Sequence, residues 1–184
     1  NELKSHNRNR FILSKGHAAT ALYSALYYNK IITKKNLHSF TKKNSYFEEH
    51  PSPDIPGVEA ATGSLGHGLS VACGIAYGLK IKKINKKVFV IMSDGECNEG
   101  SVWEAALFAS AKKLNNLCAF VDYNKWQATG KSQEVLKLGS LAKKFEQFGW
   151  NVLEIDGHNH DLIYKACKVA IKENSLLLLH FFLD

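Results

Sequence analysis

Short apolar runs separated by amphipathic segments organise the centre of the chain. Residues 88–92 and 117–121 are apolar, partly β-branched and bounded by turn residues, a pattern typical of buried strands. A helix is predicted between them, because small apolar residues recur there on one face: Val102, Ala105, Ala106 and Ala109. Ser101, followed by Glu104, predicts a capping box at the start of this helix. A strand–helix–strand unit of this kind makes the two strands parallel.

Apolar residues at helical or at strand spacing predict the remaining elements. Helices are predicted around Leu22 and Leu26, after Gly68, over residues 140–148 and over residues 161–172. Strands are predicted over residues 150–155 and 176–183, whereas residues 1–16 are polar and residues 125–139 are predicted to be a polar loop. Thr33 and Asp161 are expected to cap helices. This alternation predicts an α/β fold, a doubly wound, mostly parallel sheet with helices on both faces.

Size and composition suit one domain with a hydrophobic core. The chain has 184 residues, of which 45% are hydrophobic, and we treat residues 1–184 as a single domain. No apolar run reaches the roughly 20 residues that a membrane helix needs. Residues 1–4 do not form a signal-peptide pattern. We therefore expect a cytoplasmic protein without a membrane partner.

Cysteine spacing and charge narrow the possible functions. Cys73, Cys97, Cys118 and Cys167 form no CxxC pair and no zinc pattern, so free thiols in a reducing compartment are expected. Cys97 lies in a candidate site loop, but no adjacent residue would activate it. The formal charge of +7 comes with no basic stripe interleaved with aromatic residues, so no nucleic-acid partner is expected. A basic surface does attract phosphorylated sugars and diphosphates.

Two polar residues come directly after the two central strands. Asp94 follows the first strand and Asn124 the second, and open α/β sheets bind ligands at the carboxyl ends of their strands. A carboxylate and an amide oxygen suit Mg²⁺ or Ca²⁺, and Mg²⁺ takes its other ligands from phosphate oxygens and water. These residues indicate a cation site that a phosphorylated cofactor completes. The alternative is that both residues only form turns.

The segment from Asp94-Gly95 to Asn124 resembles the thiamine diphosphate motif of a known enzyme family. The intervening Glu-Cys-Asn-Glu-Gly-Ser-Val-Trp-Glu-Ala-Ala is similar to transketolases, especially the split bacterial type whose first half is a separate chain. The resemblance implies the thiamine-diphosphate-binding fold, with the metal held by the side chains of Asp94 and Asn124 and the backbone carbonyl of Trp126. Ser93 stands where the family motif has its first Gly, and a positive φ there would weaken cofactor binding.

Two histidines belong to further stretches that carry the resemblance. His17 lies in Ser-Lys-Gly-His-Ala, and His50 begins residues 50–56, which hold all three prolines of the chain and form a stiff loop. The resemblance makes His17 and His50 the histidines that face the substrate. Glu49 precedes His50 where the family usually has Gly. Without the resemblance, His17 is interpreted as a surface or helix-capping histidine.

A glycine-rich stretch, residues 56–68, leads into a predicted helix. Its glycines allow the backbone to approach a flat ligand, and helix N-termini attract anions. The resemblance places Gly63 and Leu65 against the aminopyrimidine of the cofactor. His67, where many members have Gln, either contacts the diphosphate or caps the helix. The full cofactor-binding set that the resemblance implies is Gly63, Leu65, His67, Gly95, Glu96, Glu99 and Asn124.

The resemblance covers roughly residues 11–172 and implies a function. It implies a transferase of carbohydrate metabolism that moves a two-carbon ketol unit from a ketose to an aldose, sugar phosphates included, using thiamine diphosphate and Mg²⁺ or Ca²⁺. The pyrimidine-binding domain is absent and the chain is short at both ends, so activity is expected only with a partner subunit. Glu99 matches a glutamate at the family's subunit interface, which favours a homodimer or heterotetramer, or is simply an exposed loop carboxylate.

Two other functions are compatible with the sequence. One is the corresponding half of a related enzyme, such as a deoxyxylulose-phosphate synthase or a 2-oxo acid dehydrogenase component. Tyr123 and residues 62–65 favour transketolase over these. The other is a non-catalytic truncated remnant or interaction subunit, which the short ends and Ser93 keep open.

Overall fold

The computed structural model describes residue 3, residue 5 and residues 7–183. Its strands are β1 (Arg10–Leu13), β2 (Val88–Ser93), β3 (Leu117–Tyr123), β4 (Trp126–Gln127), β5 (Gly130–Lys131), β6 (Asn151–Asp156) and β7 (Leu177–Phe182). Its helices are α1 (Ala19–Tyr28), α2 (Lys34–Leu37), α3 (His67–Ile81), α4 (Gly100–Ala111), α5 (Ser132–Val135), α6 (Leu141–Gln147) and α7 (His160–Lys172). None of the helices in this described part is long and apolar enough to cross a membrane.

Five of these strands form one parallel sheet in the order β1-β2-β3-β7-β6. β4 and β5 form a separate antiparallel hairpin. Ser93 at the end of β2 lies opposite Asp122 in β3, so the residues that follow these two strands share one edge of the sheet. The predicted α/β fold with a mostly parallel sheet is confirmed.

Helices cover both faces of the sheet. On one face, α3, α4 and α6 pack against alternate residues of β2 and β3, and Met92 and Val121 have no exposed surface there. On the other face, Ala166 and Ala170 of α7 join a smaller cluster around Phe120. Burying a side chain the size of Val or Met contributes roughly 1.5–3 kcal/mol, so these clusters fix the positions of the strand ends.

A third apolar cluster holds the long segment between α2 and α3. Tyr23 of α1 is buried, and its ring packs edge-on against Phe47 with 5.2 Å between the ring centroids. The Tyr23 hydroxyl donates to the carbonyl of Glu48 at 2.9 Å. Ile55 is buried in the same cluster. The proline-rich segment is therefore anchored on both sides of His50.

Two segments for which no strand or helix is predicted contain regular structure. Within residues 1–16, Arg10–Leu13 forms β1, an edge strand that pairs in parallel with β2. Only three consecutive apolar residues mark this strand, so pairing with β2, rather than its own pattern, decides its conformation. Within residues 125–139 lie the β4–β5 hairpin and α5. β1 depends on a partner strand distant in sequence, whereas the β4–β5 hairpin pairs residues at most five positions apart.

The predicted N-cap of α2 is confirmed, and the predicted N-cap of α4 is wrong. Thr33 Oγ1 accepts a hydrogen bond from the backbone N–H of Asn36 at 3.2 Å. α4 starts two residues earlier than expected, with Glu99 at its N-cap and no side-chain cap. The Ser101 hydroxyl donates instead to the carbonyl of Gly66 at 3.2 Å. A carbonyl brought close by the fold therefore takes the hydroxyl away from the helix terminus.

The cap of α7 is also wrongly predicted, by two positions. The N-cap residue is Asn159, whose Oδ1 accepts from the backbone N–H of Leu162 at 3.1 Å. Asp161 lies inside the first turn of the helix. A carboxylate there still interacts favourably with the positive end of the helix dipole.

Candidate active site

Asp94 lies just past the carboxyl end of β2 and is almost completely buried, with 3% of its surface exposed. Its backbone N–H donates to the carbonyl of Asp122 at 3.1 Å, which fixes it against the end of β3. Its Oδ2 accepts from the Ser132 hydroxyl at 2.7 Å, whereas Oδ1 is buried with no hydrogen-bond partner among the described residues. Burial raises the pKa of this carboxyl group, and the Ser132 hydrogen bond opposes that shift. A buried carboxylate oxygen without a partner is suited to bind a hard cation.

Asn124 follows β3 at the same edge of the sheet. Its Oδ1 accepts from the backbone N–H of Trp126 at 2.8 Å, which leaves that oxygen a second lone pair for a ligand. Trp126 opens the β4–β5 hairpin, and its side chain is 59% exposed. In the described part of the chain, no cluster of three His, Cys, Asp or Glu side chains could hold a metal. A cation at Asp94 and Asn124 would therefore need oxygen ligands from a cofactor.

Unpartnered polar atoms concentrate at this edge of the sheet. Among the described residues, four of the five buried side-chain polar atoms that lack a partner belong to Asp94, Asp122, Gln127 and His180. The His180 ring lies 5.0 Å from that of Tyr123, beside the end of β3. Buried polar groups normally have partners, so a cluster of exceptions indicates a site suited to a polar ligand. The residues present therefore fit a diphosphate with a divalent cation.

Lys15 and Asp122 form an ion pair at this edge that the sequence did not reveal. Lys15 Nζ donates to Asp122 Oδ2 at 2.5 Å, and both side chains are partly buried. Lys15 lies two residues past the end of β1 and Asp122 lies in β3, so the pair spans the end of β2. The two residues are far apart in sequence, and only the sheet order brings them together. The pair places the Lys15 ammonium group at the sheet edge, where the Asp122 carboxylate balances its charge.

Glu96 connects three of the segments that build the site. Its side chain has no exposed surface. Oε1 accepts from the Ser14 hydroxyl at 2.5 Å and from the backbone N–H of Gly66 at 3.1 Å, and Oε2 accepts from the backbone N–H of Ser93 at 2.9 Å. The ends of β1 and β2 and the start of α3 therefore meet on one carboxylate. Both oxygens accept hydrogen bonds from the protein, so Glu96 holds these segments together from the interior, and its contact with the cofactor stays a prediction.

Ser93 is accommodated at the position where the resemblance expects Gly. It is not among the described residues that have a positive φ, so its backbone does not need the conformation that favours Gly. Its hydroxyl accepts from the backbone N–H of Glu96 at 3.3 Å. The serine therefore stabilises the turn that carries Asp94.

The segments that carry His17 and His50 converge on Gly63. A β-carbon on Gly16, the residue before His17, would lie 2.7 Å from the nitrogen of Gly63. A β-carbon on Gly63, whose φ is +140°, would lie 2.6 Å from Cδ2 of His50. Both histidines are exposed. Because residues 16 and 63 are glycines, the backbone segments that carry the two exposed histidines can pack closely together.

Gly63→Ala is expected to destabilise the protein by about 1–3 kcal/mol, because the new methyl group meets the His50 ring and the backbone conformation is unfavourable for alanine. Gly74→Ala is the matched control. Gly74 lies inside α3 with open space around it, and the same substitution should stabilise the protein by up to about 1 kcal/mol. Urea denaturation measures both values. Equal stabilities of the two variants would contradict this account of Gly63.

The other residues of the predicted cofactor set lie around the same edge. His67 is the first residue of α3 and is exposed, but the N-cap is Gly66 with a φ of 77°, so the alternative in which His67 caps the helix is wrong. Leu65 is 45% exposed. Gly95 is buried beneath the side chain of Gln127. Glu99 is exposed at the N-cap of α4, with its β-carbon against Gly66.

Cys97 is enclosed in the turn after Asp94. It has no exposed surface, and its thiol lies 3.8 Å from the carbonyl of Ser93. Burial raises the pKa of this thiol, and the carboxylates of Glu96 and Asp94 raise it further. A thiol held in its neutral form in the interior is a weak nucleophile. Cys97 therefore fills space in the site loop.

The sequence matches the family model described as "Transketolase, thiamine diphosphate binding domain" over residues 1–179. It is 39% identical over 180 residues to one subunit of an apulose-4-phosphate transketolase from Phocaeicola vulgatus, covering 96% of this chain and 64% of that protein. It is 40% identical over 164 residues to one subunit of a 6-deoxy-6-sulfo-D-fructose transketolase from a Clostridium species, covering 89% of this chain and 60% of that protein. The chain thus spans less than two thirds of the length of these relatives.

Solved structures of similar proteins share the fold. The crystal structure of transketolase from Campylobacter jejuni superposes with a TM-score of 0.90 at 32% identity, covering 95% of this chain and 29% of the other. A transketolase from Pichia stipitis, in complex with sedoheptulose 7-phosphate, superposes with a TM-score of 0.85 at 33% identity, covering 95% and 28%. The sheet and helices described above therefore correspond to one part of these longer chains.

Proposed function

We propose, from the premise that this chain belongs to the transketolase thiamine diphosphate binding domain family, that it is the diphosphate-binding half of a two-subunit transketolase. In this proposal the assembled enzyme transfers a two-carbon ketol unit from a ketose to an aldose, with sugar phosphates as substrates. The similarity to subunits of split transketolases supports a separate partner chain. The observation that carries the proposal is the buried Oδ1 of Asp94, which has no partner among the described residues and lies at the sheet edge shared with Asn124.

We assign Asp94, Asn124 and the Trp126 carbonyl to the divalent cation, Mg²⁺ or Ca²⁺. A carboxylate, an amide oxygen and a carbonyl are the hard donors that these cations prefer. When bound, thiamine diphosphate supplies the electron sink that allows a carbon–carbon bond of the sugar to break and re-form. The protein's own contribution is to hold the diphosphate at the sheet edge, where the Lys15 ammonium group, paired with Asp122, lies among the donors.

The residues around Gly63 are assigned to the rest of the cofactor and to the sugar. Leu65 offers an exposed apolar side chain to a flat ring, and His67 lies at the N-terminus of α3, where helix dipoles favour negative charge. His17 and His50 are exposed, and their imidazole nitrogens can accept or donate protons at sugar hydroxyl groups near neutral pH. These assignments extend the family resemblance to individual positions.

The partner in this proposal supplies the pyrimidine-binding domain. Glu99 is exposed at the start of α4, where it is available to a second chain. We propose a homodimer or a heterotetramer that includes the partner chain. The four cysteines are free thiols, which supports a cytoplasmic location.

Reconstitution tests the proposal. The chain alone, with thiamine diphosphate and Mg²⁺, should transfer no ketol unit between a ketose phosphate and an aldose phosphate. Adding a pyrimidine-domain subunit should restore transfer. Turnover with pyruvate instead of ketoses would assign the chain to a related enzyme class, and failure with every partner while the cofactor still binds would contradict the proposed function.

A further inference from the structure

Ser132 is the residue that ties the segment after β3 to Asp94. Its hydroxyl donates to Asp94 Oδ2 at 2.7 Å, and 7% of its surface is exposed. Its backbone N–H donates to the carbonyl of Lys125 at 2.9 Å, which closes the β4–β5 hairpin. One serine thus connects the end of β2 with the hairpin that follows β3.

We propose that Ser132 is a positioning residue of the divalent cation site, which it organises by holding Asp94 and the Asn124–Trp126 segment together. The proposal rests on the function proposed above and deepens it. Ser132 does not contact the cation in this account. It acts through the carboxylate that does.

The first step of the argument concerns the carboxylate itself. A carboxylate that is free to rotate can present either oxygen to a cation. The Ser132 hydroxyl engages Oδ2, so Oδ1 is the oxygen left without a partner among the described residues. Partners that orient a metal-binding side chain in this way commonly contribute roughly 10–100-fold to metal affinity.

The second step concerns the other two assigned ligands. Asn124 Oδ1 accepts from the backbone N–H of Trp126, and Trp126 pairs with Lys131, the residue directly before Ser132. A chain of hydrogen bonds and one covalent connection therefore runs from Asp94 through Ser132 to the Asn124–Trp126 segment. Loss of the Ser132 hydroxyl would free the carboxylate and loosen the hairpin at the same time.

The third step is that the side chains next to Ser132 in the sequence contact groups other than Asp94. Ser132 is one of six polar or charged side chains that are buried in the described part of the chain, and another of them is Asp94. The charged neighbours of Ser132 along the chain, Lys131 and Glu134, form an exposed ion pair with each other at 3.6 Å. Gln133 Nε2 donates to the Tyr123 hydroxyl at 3.1 Å. Within residues 131–134, Ser132 is the residue directed at the carboxylate.

Titration with Mn²⁺ in the presence of thiamine diphosphate, followed by electron paramagnetic resonance, tests the proposal on the full chain. Ser132→Ala should weaken Mn²⁺ binding by about 10–100-fold. Ser132→Thr, which keeps the hydroxyl, should recover most of that loss. Ser140→Ala is the matched control, since Ser140 caps α6 through the Lys143 N–H. It should lower the thermal midpoint while leaving Mn²⁺ affinity unchanged.

The outcomes separate the two proposals. If Ser132→Ala bound Mn²⁺ as tightly as the wild type, the role of Ser132 would be overturned and the proposed function would stand. Absence of Mn²⁺ binding by the wild-type chain would overturn the proposed function, and the role of Ser132 with it. If Ser132→Ala does not fold by circular dichroism, Ser132→Cys provides the same test, because it keeps a group at the hydroxyl position and a thiol is only a weak donor.

Discussion

Asp94→Asn is expected to weaken cation-dependent binding of thiamine diphosphate by at least about 100-fold, more than the loss of a residue that only orients a ligand. The substitution keeps the size of the side chain but removes the negative charge that a divalent cation requires at this edge. Quenching of tryptophan fluorescence provides the readout, because Trp126 is exposed beside the assigned ligands. The matched control is Asp161→Asn, an equal loss of charge in the first turn of α7.

The same variant should behave differently when no cation is present. In the cation-free protein, Asp94 is a buried carboxylate with one oxygen that lacks a partner among the described residues, and its burial costs free energy. Asp94→Asn should therefore unfold at the same temperature as the wild type, or at a higher one, in EDTA. Lower stability together with unchanged cofactor binding would show that Asp94 is a structural residue and not a cation ligand.

Glu96→Ala is expected to cost about 3–5 kcal/mol of folding free energy, the largest effect on stability that we predict. The alanine would leave the Ser14 hydroxyl and the N–H groups of Gly66 and Ser93 buried without an acceptor. It would also leave a cavity in a part of the interior that has no exposed surface. Denaturation in urea, followed by circular dichroism, measures the loss.

Two further variants separate charge from hydrogen bonding at this position. Glu96→Gln keeps one acceptor oxygen and should lose roughly half as much stability as the alanine variant. Glu104→Ala removes the same charge from an exposed position on α4 and should change stability by less than about 0.5 kcal/mol. If Glu96→Ala were as stable as Glu104→Ala, the carboxylate would not be holding the three segments together.

The parts of the fold that follow from local patterns could be predicted from the sequence. The strands that became β2 and β3 are continuous apolar runs, and α4 between them shows a clear helical period. This unit alone places Asp94 and Asn124 at adjacent strand ends. The family resemblance added the histidines and the glycine-rich stretch, which the structure brings together at Gly63.

The supporting contacts of the site could not be predicted, because each joins residues that are far apart in the chain. Glu96 meets Ser14 across 82 positions, and Lys15 meets Asp122 across 107. No periodicity marks such residues, since their partners are set by the order of strands in the sheet. Ser132 lies in a segment whose sequence indicates irregular structure, and only its contact with Asp94 gives it a role.

Isothermal titration calorimetry of the wild-type chain with thiamine diphosphate, in Mg²⁺ and then in EDTA, tests the central claim most directly. The account predicts saturable heat, with one cofactor bound per chain in Mg²⁺ and none in EDTA. Equal heats with and without Mg²⁺, or no heat in either condition, would contradict the claim that Asp94 and Asn124 hold a cation that carries the cofactor's diphosphate.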